Sequence, residues 1–323
     1  MKKISKLAIG VVALFAPVLA LGQSFASKPV RMVVPYAAGG SADTVARALG
    51  TRLGEALGQP VVIDNRGGAS GIIGSDIVAK APPDGYTVLL TIGPPHGAYP
   101  LFTKNVPFDT IKDFTAIAMV GTSSQVIVVH PSLPVTTVRE LIDHAKRNPG
   151  KVFYAISAIG SSQHMGGLLL NRTAGIDMTH VAYKGAAPAL ADVLGGQVVV
   201  GMVTLSNVIP HVRAGKLRLL AVLQAERAAA IPDTPTVAEA GVPGYNVPYT
   251  WIGMVGPAGL LVAIVNQIHA AVAKALGFPE VRARLDAAGF EVRSDAPLAF
   301  ADEIAKSYVI YRNIVTEAGI QPE

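Results

Sequence analysis

The chain has 323 residues, half of them hydrophobic, with 27 Lys and Arg against 22 Asp and Glu, a formal net charge of +5. Three of these positive charges (Lys2, Lys3 and Lys6) lie at the N-terminus, so the rest of the chain carries a net charge of only +2. A basic surface for nucleic acid or for a lipid membrane is therefore not predicted. Cysteine is absent from the sequence, which excludes disulfides, thiolate zinc sites and a thiol nucleophile.

The first 22 residues have the pattern of a secretory signal peptide. Three lysines precede an uncharged run over residues 7–21, which is short for a membrane span. Small residues permit cleavage after Gly22, which we favour, or after Ala26. A buried N-terminal helix is the alternative, but Pro17 interrupts the run and polar residues follow it. We therefore predict residues 1–22 to be a signal peptide and the mature protein to be exported to a bacterial periplasm.

Strand and helix patterns alternate through the first hundred residues of the predicted mature chain. Strands are predicted at 30–34, 61–63 and 87–92, and helices from the glycine turn after residue 38 to residue 57 and over 71–81. In the first helix the apolar residues Val45, Leu49 and Leu53 recur at helical spacing. Alternation of this kind predicts a parallel, doubly wound sheet.

A second set of elements follows a pair of strands at 116–120 and 126–129, which we interpret as a crossing into another domain. After it, the helices are predicted at 138–146, 165–174, 187–194 and from about 206, and the strands at 152–156, 178–182, 198–203 and 217–222. A strand at 249–255 is predicted to return to the first domain. Helices at 262–276, 279–288 and 297–317 complete the chain.

These elements predict an α/β protein of two domains, each a doubly wound, mostly parallel sheet flanked by helices. About 300 residues exceed what a single hydrophobic core usually organises. The first domain is assigned residues 27–125 and 253–323, and the second residues 126–252. Two crossing strands allow the domains to close on a ligand by a small hinge rotation.

Ligands of open parallel sheets bind beyond the carboxyl ends of the strands, where helix N-termini attract anions. After the first strand, the candidate ligand-binding residues are Tyr36, Ala38, Gly39, Gly40, Ser41 and Asp43. The paired glycines let the backbone approach a carboxylate, and Ser41 or Asp43 could cap the following helix. A capped turn without a ligand explains this loop equally well.

The second domain contributes two further candidate loops. One is rich in small and hydroxyl residues, and its candidates are Ser157, Gly160, Ser161, Ser162 and His164. The other places Tyr183 and Lys184 between a strand and a helix, with Lys184 as a counter-charge for an anion or simply a solvated lysine. His96, after the third strand of the first domain, is a further candidate donor to an anion.

Catalytic and metal-binding motifs are absent from the sequence. We find no Gly-x-Ser-x-Gly, no phosphate-binding Walker loop, no Gly-x-Gly-x-x-Gly and no His-Glu-x-x-His, and the histidines have no metal-ligand spacing. No nucleophile and base can be named, so an esterase or decarboxylase of exported acids is a distant alternative. We predict that the protein is not an enzyme and that it uses no cofactor or metal.

Several loop motifs occur together in a fixed order. They are Pro35-Tyr36-Ala37-Ala38-Gly39-Gly40 with Asp43, Asp84-Gly85-Tyr86, His130-Pro131-Ser132-Leu133-Pro134, Tyr183-Lys184-Gly185, Leu194-Gly195-Gly196-Gln197-Val198 and Pro232-Asp233-Thr234-Pro235-Thr236. From about Lys28 to its C-terminus, the chain closely resembles the Bug family of extracytoplasmic solute receptors of tripartite tricarboxylate transporters. The resemblance implies a type II periplasmic-binding-protein fold with neither enzymatic activity nor a cofactor. It also implies that residues 36–43 hold a ligand carboxylate, with residues 160–162 and 183–185 facing it.

The chain departs from the family pattern at two informative places. Members often carry an acidic residue near the end of the strand that here reads Val200 to Thr204, so Val203 is included among the candidate ligand residues. Without that acid a ligand ammonium lacks a buried counter-ion, which disfavours an amino-acid ligand. A glutamate common in the helix after the serine loop is replaced by Gly167.

The resemblance and the loops together predict a function and its partners. We expect a monomeric periplasmic receptor that captures a small di- or tricarboxylic or aromatic acid. It would deliver that acid to the membrane subunits of a tripartite tricarboxylate-type transporter. A carboxylate sensor for a membrane signalling partner is the alternative.

Overall fold

The computed structural model describes residues 27–322. The predicted signal peptide lies outside these residues, so its presence and cleavage stay a prediction. No helix in the described part of the chain has both the length and the apolar character needed to cross a membrane.

The described residues form strands and helices close to those predicted. The strands are β1 Val30–Val34, β2 Val61–Asn65, β3 Thr87–Ile92, β4 Phe114–Ser123, β5 Gln125–Val129, β6 Val152–Ile156, β7 Met178–Ala182, β8 Val200–Thr204, β9 Arg218–Val222, β10 Thr250–Pro257 and β11 Glu291–Val292. The helices are α1 Ser41–Leu57, α2 Ile72–Ala79, α3 Gly93–Gly97, α4 Val138–Arg147, α5 Ser162–Ala174, α6 Ala186–Leu194, α7 Leu205–Arg213, α8 Val262–Leu276, α9 Pro279–Ala287 and α10 Pro297–Glu317. The short α3 and β11 were not predicted.

Helix α5 begins three residues earlier than its apolar pattern indicates. The Ser161 hydroxyl accepts a hydrogen bond from the backbone N–H of His164, which caps the helix at its first turn. Polar residues in a capped first turn carry no apolar periodicity, so the pattern alone begins at Met165.

The strands form two sheets, which confirms the predicted α/β architecture of two domains. The first sheet has the order β11-β4-β10-β3-β1-β2 and the second the order β7-β6-β8-β5-β9. Both sheets are mixed rather than mostly parallel, because β10 runs antiparallel to β3 and β4, and β5 runs antiparallel to β8 and β9. The reversed strands β5 and β10 arrive from the other sheet, whereas the short edge strand β11 is antiparallel to β4 without such a crossing.

The two crossings explain this reversal. Strand β4 leaves the first sheet and continues through Ser124 alone into β5 of the second sheet. Strand β10 makes the return crossing. In the first sheet, the strands that run parallel to β4 end at the face between the sheets. In the second sheet, the strands that run antiparallel to β5 end at the same face. A strand that enters from that face must therefore run in the opposite direction.

Helix α10 packs against both halves of the molecule. Its early residue Phe300 packs with Trp251 at the first sheet, whereas Tyr311 and Ile314 belong to the hydrophobic core of the second. Glu317, its last residue, pairs with Arg172 of α5. Each sheet has its own core, but α10 and the segment after α3 join them. The domain limits at residues 125/126 and 252/253 stay a prediction.

Candidate functional site in the cleft between the sheets

Loops from both sheets meet where the strands end. Gly160, before α5, packs so closely on Tyr99 that an added Cβ would lie 3.1 Å from the Tyr99 Cα. The rings of Phe102 and His164 are 5.3 Å apart across the same junction. The serine loop of the second sheet therefore packs against the segment that follows α3. Because the strands of both sheets end towards one another, we expect residues 36–43, 157–164 and 183–185 to border a common cleft.

The loop before α1 presents its backbone to solvent. Residues 37–41 are exposed, and Gly40 is the N-cap residue in an extended conformation, with φ of −76°. No side chain caps the helix, so neither Ser41 nor Asp43 has the capping role considered for it. The first N–H groups of a helix have no partner within it and attract anions. This turn can therefore receive a carboxylate through its backbone.

Asp43 shapes this loop from inside. Its side chain is 3% exposed, and one carboxylate oxygen accepts hydrogen bonds from the Gly39 N–H at 2.8 Å and from the Arg47 Nε at 2.9 Å. Burial raises the pKa of Asp43, but the hydrogen bonds from Arg47 and Gly39 outweigh it and leave the pKa below its usual value. The charge of Asp43 is neutralised by Arg47, so it opposes an approaching anion only weakly.

The Tyr36 side chain is held by contacts within the first sheet. Its hydroxyl lies 3.1 Å from the Thr91 hydroxyl and accepts a hydrogen bond from the Ile92 N–H at 3.3 Å. Burial raises the pKa of Tyr36 to about 12. The Tyr36 carbonyl accepts from the side-chain amide of Asn65, which in turn accepts from Arg47. Sequence reasoning missed both Asn65 and Arg47. The position of Asn65 directly after a predicted strand was the available signal.

The hydroxyl groups of the serine loop are engaged within the protein. Ser161 Oγ donates to the Ala158 carbonyl at 2.7 Å in addition to capping α5. Ser157 Oγ donates to the side-chain carbonyl of Gln163. Both hydroxyls therefore have a structural role, and direct contact of either one with a ligand stays a prediction. The backbone N–H groups at the start of α5 are the groups suited to an anion.

Lys184 and Tyr183 have different environments in the same loop. The Tyr183 hydroxyl donates to Asp192 of α6 at 2.6 Å, and burial, followed by this contact, raises its pKa to about 12. The Tyr183 hydroxyl therefore already donates its hydrogen within the protein. The Lys184 side chain is exposed, and the neighbouring Gly185 N–H donates to the Ser157 carbonyl at 3.0 Å. This bond ties the lysine loop to the serine loop.

Two candidate histidines are buried and uncharged. His96 is 2% exposed, its ring centroid lies 4.8 Å from that of Phe114, and burial lowers its pKa to about 4. His164 accepts the Gly160 N–H at its Nδ1, and burial, with a smaller effect of His180, lowers its pKa to about 3. A neutral ring keeps one N–H donor but carries no charge, so neither histidine attracts an anion by its charge, and the role of His96 as a donor stays a prediction.

The candidate Val203 is also a core residue. It pairs with Val126 of β5 and lies in the hydrophobic cluster beneath the second sheet. The next residue, Thr204, ends the strand, and its hydroxyl donates to the side-chain carbonyl of Gln125. The end of β8 therefore offers a hydroxyl and no carboxylate.

Gly167 has a packing explanation. A Cβ at this position would lie 2.1 Å from the hydroxyl oxygen of Tyr154, whose ring is fully buried. The tyrosine of β6 thus fills the space that a side chain at position 167 would need. The glutamate expected from the resemblance has no room in this protein.

Another recess lies away from these loops. It has a volume of about 660 Å³ and is lined by residues of α1 and the edge strand β2, including Gly50, Gly54 and Pro60. Its walls combine small residues with the charged Arg47 and Glu55, and it is open to solvent along the outer edge of the first sheet. It lacks the convergent helix N-termini of the cleft. Among residues 27–322, His, Asp and Glu side chains form no cluster suited to a metal ion.

Comparison with known families identifies the family of this protein. The sequence matches the tripartite tricarboxylate transporter family receptor (TctC) over residues 45–318. The chain belongs to this family. The resemblance to Bug receptors is thereby confirmed, and so is the prediction of a solute receptor rather than an enzyme, because the family consists of receptors.

Three relatives illustrate the membership of this TctC receptor. BugT of Bordetella pertussis is 36% identical over 263 residues, which cover 80% of each chain. The structure of R. palustris Rpa4515 with adipate has 35% identity and a TM-score of 0.78, with coverage of 92% of this chain and 99% of that one. MatC from Rhodopseudomonas palustris with bound malate has 32% identity, a TM-score of 0.74 and coverage of 90% and 99%.

Proposed function

We propose that this TctC receptor binds a small carboxylate in the cleft between its sheets and delivers it to a tripartite tricarboxylate-type membrane transporter. The observation that carries the proposal is the exposed, uncapped N-terminal turn of α1 at the cleft. Backbone N–H groups at such a turn favour anions. The adjacent Asp43 is neutralised by Arg47, and the exposed Lys184 of the second domain is the proposed counter-charge for the anion.

The relatives support a dicarboxylate or a related acid. Rpa4515 carries adipate and MatC carries malate, and both ligands are dicarboxylates. The two ends of such a molecule suit the two sets of helix N-termini that border the cleft, before α1 and before α5. Aromatic and tricarboxylic acids present carboxylates in a similar way.

An amino-acid ligand is disfavoured by the end of β8. The last residues there are the buried Val203 and the hydroxyl residue Thr204, so this strand offers no carboxylate for a ligand ammonium. An unpaired ammonium in a closed cleft carries a large desolvation cost. We therefore infer selectivity for acids without an amino group.

Closure of the cleft completes the proposed binding step. The two sheets are linked by β4–β5 and by the return into β10, and small rotations at two strands can bring rigid domains together. Small-angle scattering with and without the ligand should detect a smaller radius of gyration in the bound protein. An unchanged radius at saturation would rule out closure without affecting the binding proposal.

A thermal-shift screen tests the ligand class. Adipate, malate, tricarboxylic and aromatic acids should raise the melting temperature, because a ligand at ~100 times its Kd stabilises the folded state by roughly 2.7 kcal/mol. The dimethyl ester of each active diacid is the matched control, since it keeps the carbon chain and removes the charges. Stabilisation by the ester equal to that by the acid would refute an anion site. Stabilisation by amino acids alone would refute the selectivity for acids without an amino group.

Delivery to a transporter requires a separate assay. Cells that express the cognate membrane subunits should take up the radiolabelled acid only when the receptor is present in the periplasm. Uptake that is unaffected by loss of the receptor would refute the delivery step while leaving the binding result intact.

A further inference from the structure

Two neighbouring side chains at the start of α5 contact both crossing strands. The Gln163 side-chain amide donates to the Gln125 side-chain carbonyl in β5 at 2.8 Å. The Ser162 hydroxyl lies 2.9 Å from the Thr250 hydroxyl at the start of β10. Both bonds link the second sheet's ligand loop to segments through which the chain passes between the sheets.

The carbonyl end of the Gln163 side chain holds the loop itself. It accepts the Ser157 N–H at 3.1 Å and also the Ser157 hydroxyl. The Ser157 carbonyl in turn accepts the Gly185 N–H of the loop that carries Lys184. One buried glutamine side chain therefore connects both ligand loops of the second sheet to the crossing strand β5.

Gln125 is the centre of this network. Its side-chain carbonyl accepts from Gln163 and, at 3.3 Å, from Thr204, while its amide donates to the Thr250 hydroxyl at 3.3 Å. Its backbone N–H donates to the side chain of Gln224 at 3.0 Å. The end of β8 and both crossing strands thus meet at one side chain.

Burial makes the network stiff. Gln125 is 1% exposed and Gln163 is 5% exposed, so a partner lost within the protein is not replaced by bulk water. Buried polar groups that lose a partner are costly, and members of a connected network therefore move together. A displacement of the Ser157 loop must then be accompanied by a displacement at Gln125 and Thr250.

We propose that Gln163 is a positioning residue that couples the ligand loops of the second sheet to the hinge. Through Gln125 and Ser162, contact of an anion with the loop is passed to β5 and β10, the strands about which the cleft closes. This inference rests on the proposed function and adds to it a residue that controls closure. Gln163 itself is not required to touch the ligand.

The protein contains its own reporter of this coupling. Trp251, the single tryptophan of the chain, directly follows Thr250 in β10. Its buried ring packs edge-on against Phe300 with centroids 5.0 Å apart. Movement of β10 relative to α10 should change the emission of Trp251.

Hydrogen exchange of the unliganded mature protein tests the coupling without any ligand. Gln163→Leu removes the acceptor of Ser157 and the donor to Gln125, whereas Gln163→Glu keeps the acceptor only. The control is Gln197→Leu, which makes the same change at an exposed site of the second domain. We expect exchange at Ser157, at Gln125 and over residues 250–253 to be about tenfold faster in Gln163→Leu and unchanged in the control. Faster exchange at Ser157 alone would overturn the proposal.

Adipate serves as the probe for the liganded state. In the native protein it should change Trp251 emission, and in Gln163→Leu this change should be lost and the Kd raised about tenfold or more. Thr250→Val, which removes only the hydroxyl, should reduce the emission change, and Thr250→Ser should restore it. Native affinity with a full emission change in Gln163→Leu would overturn the proposal. If adipate fails to bind the native protein, the ligand assignment fails, and the exchange result still decides the coupling.

Discussion

Replacement of Gly40 by valine separates binding from folding at the first loop. Gly40 has a φ of −76°, which any residue adopts, and its Cβ would meet only the Ala37 carbonyl, at 3.5 Å. Gly39 is different because its φ is +84°, in the left-handed region. An added side chain would therefore strain the backbone at Gly39 but not at Gly40.

The magnitudes follow from these conformations. Gly40→Ala should leave the free energy of unfolding unchanged or raise it by about 0.4–1 kcal/mol, because the unfolded chain loses freedom at a compatible site. Gly39→Ala should lower it by roughly 1–2 kcal/mol. Gly40→Val should fold like Gly40→Ala but place a branched group beside the exposed amides. We expect its affinity to fall about tenfold or more, which corresponds to ~1.4 kcal/mol.

Calorimetry measures both quantities on the same variants. Scanning calorimetry without ligand gives the melting temperature, and titration with the acid found by thermal shift gives the affinity. A Gly40→Val protein that melts like the native one and binds with native affinity would refute a carboxylate at this loop. The anion would then have to bind on the side of residues 157–164.

Three further predictions concern charge, pH and export. Lys184→Ala should weaken carboxylate binding by roughly 1.5–3 kcal/mol if the exposed ammonium pairs with the ligand. Lys216 is an exposed lysine of the same domain, and Lys216→Ala should leave the binding unchanged. Equal titration curves for the two variants would show that Lys184 is merely solvated. Because burial lowers the pKa of His96 to about 4, the unfolded chain binds a proton below about pH 6.5 that the folded chain does not, so stability falls as the pH drops from 6.5 towards 4. His96→Phe should remove this loss of stability. In urea unfolding, the free energy of unfolding of the variant relative to the native protein should therefore rise by about 2 kcal/mol from pH 7 to pH 5. A difference between the two proteins that is the same at both pH values would contradict this prediction. Intact-mass measurement of periplasmic extract should find a chain beginning near Gln23 or Ser27, and an uncleaved, membrane-embedded chain would refute export.

The sequence by itself determined the elements and the family. Apolar periodicity located nearly every helix and strand, since spacing of 3.6 or 2 residues is a local property of the chain. Ordered loop motifs identified the receptor family, and the strand ends indicated candidate ligand loops, because loops lie next to the strands that precede them. Helix α4, predicted at 138–146, begins directly after Thr137, whose hydroxyl accepts the Glu140 N–H as the helix cap.

The tertiary structure alone decided where the side chains of those loops point. Tyr36 bonds to Thr91, 55 residues away, and Ser162 bonds to Thr250, 88 residues away. Nothing local distinguishes a hydroxyl that meets a ligand from one that meets a distant strand. The bonds of Tyr36, Tyr183 and the serines within the protein could therefore not be read from the sequence, and the ligand contacts of these loops stay a prediction. The mixed strand order has the same origin, because the direction of β5 and β10 is fixed by which sheet the chain arrives from. Sequence patterns therefore place groups along the chain, whereas packing between distant segments decides which groups bond within the protein and which, such as the backbone of residues 37–41 and the Lys184 side chain, stay exposed.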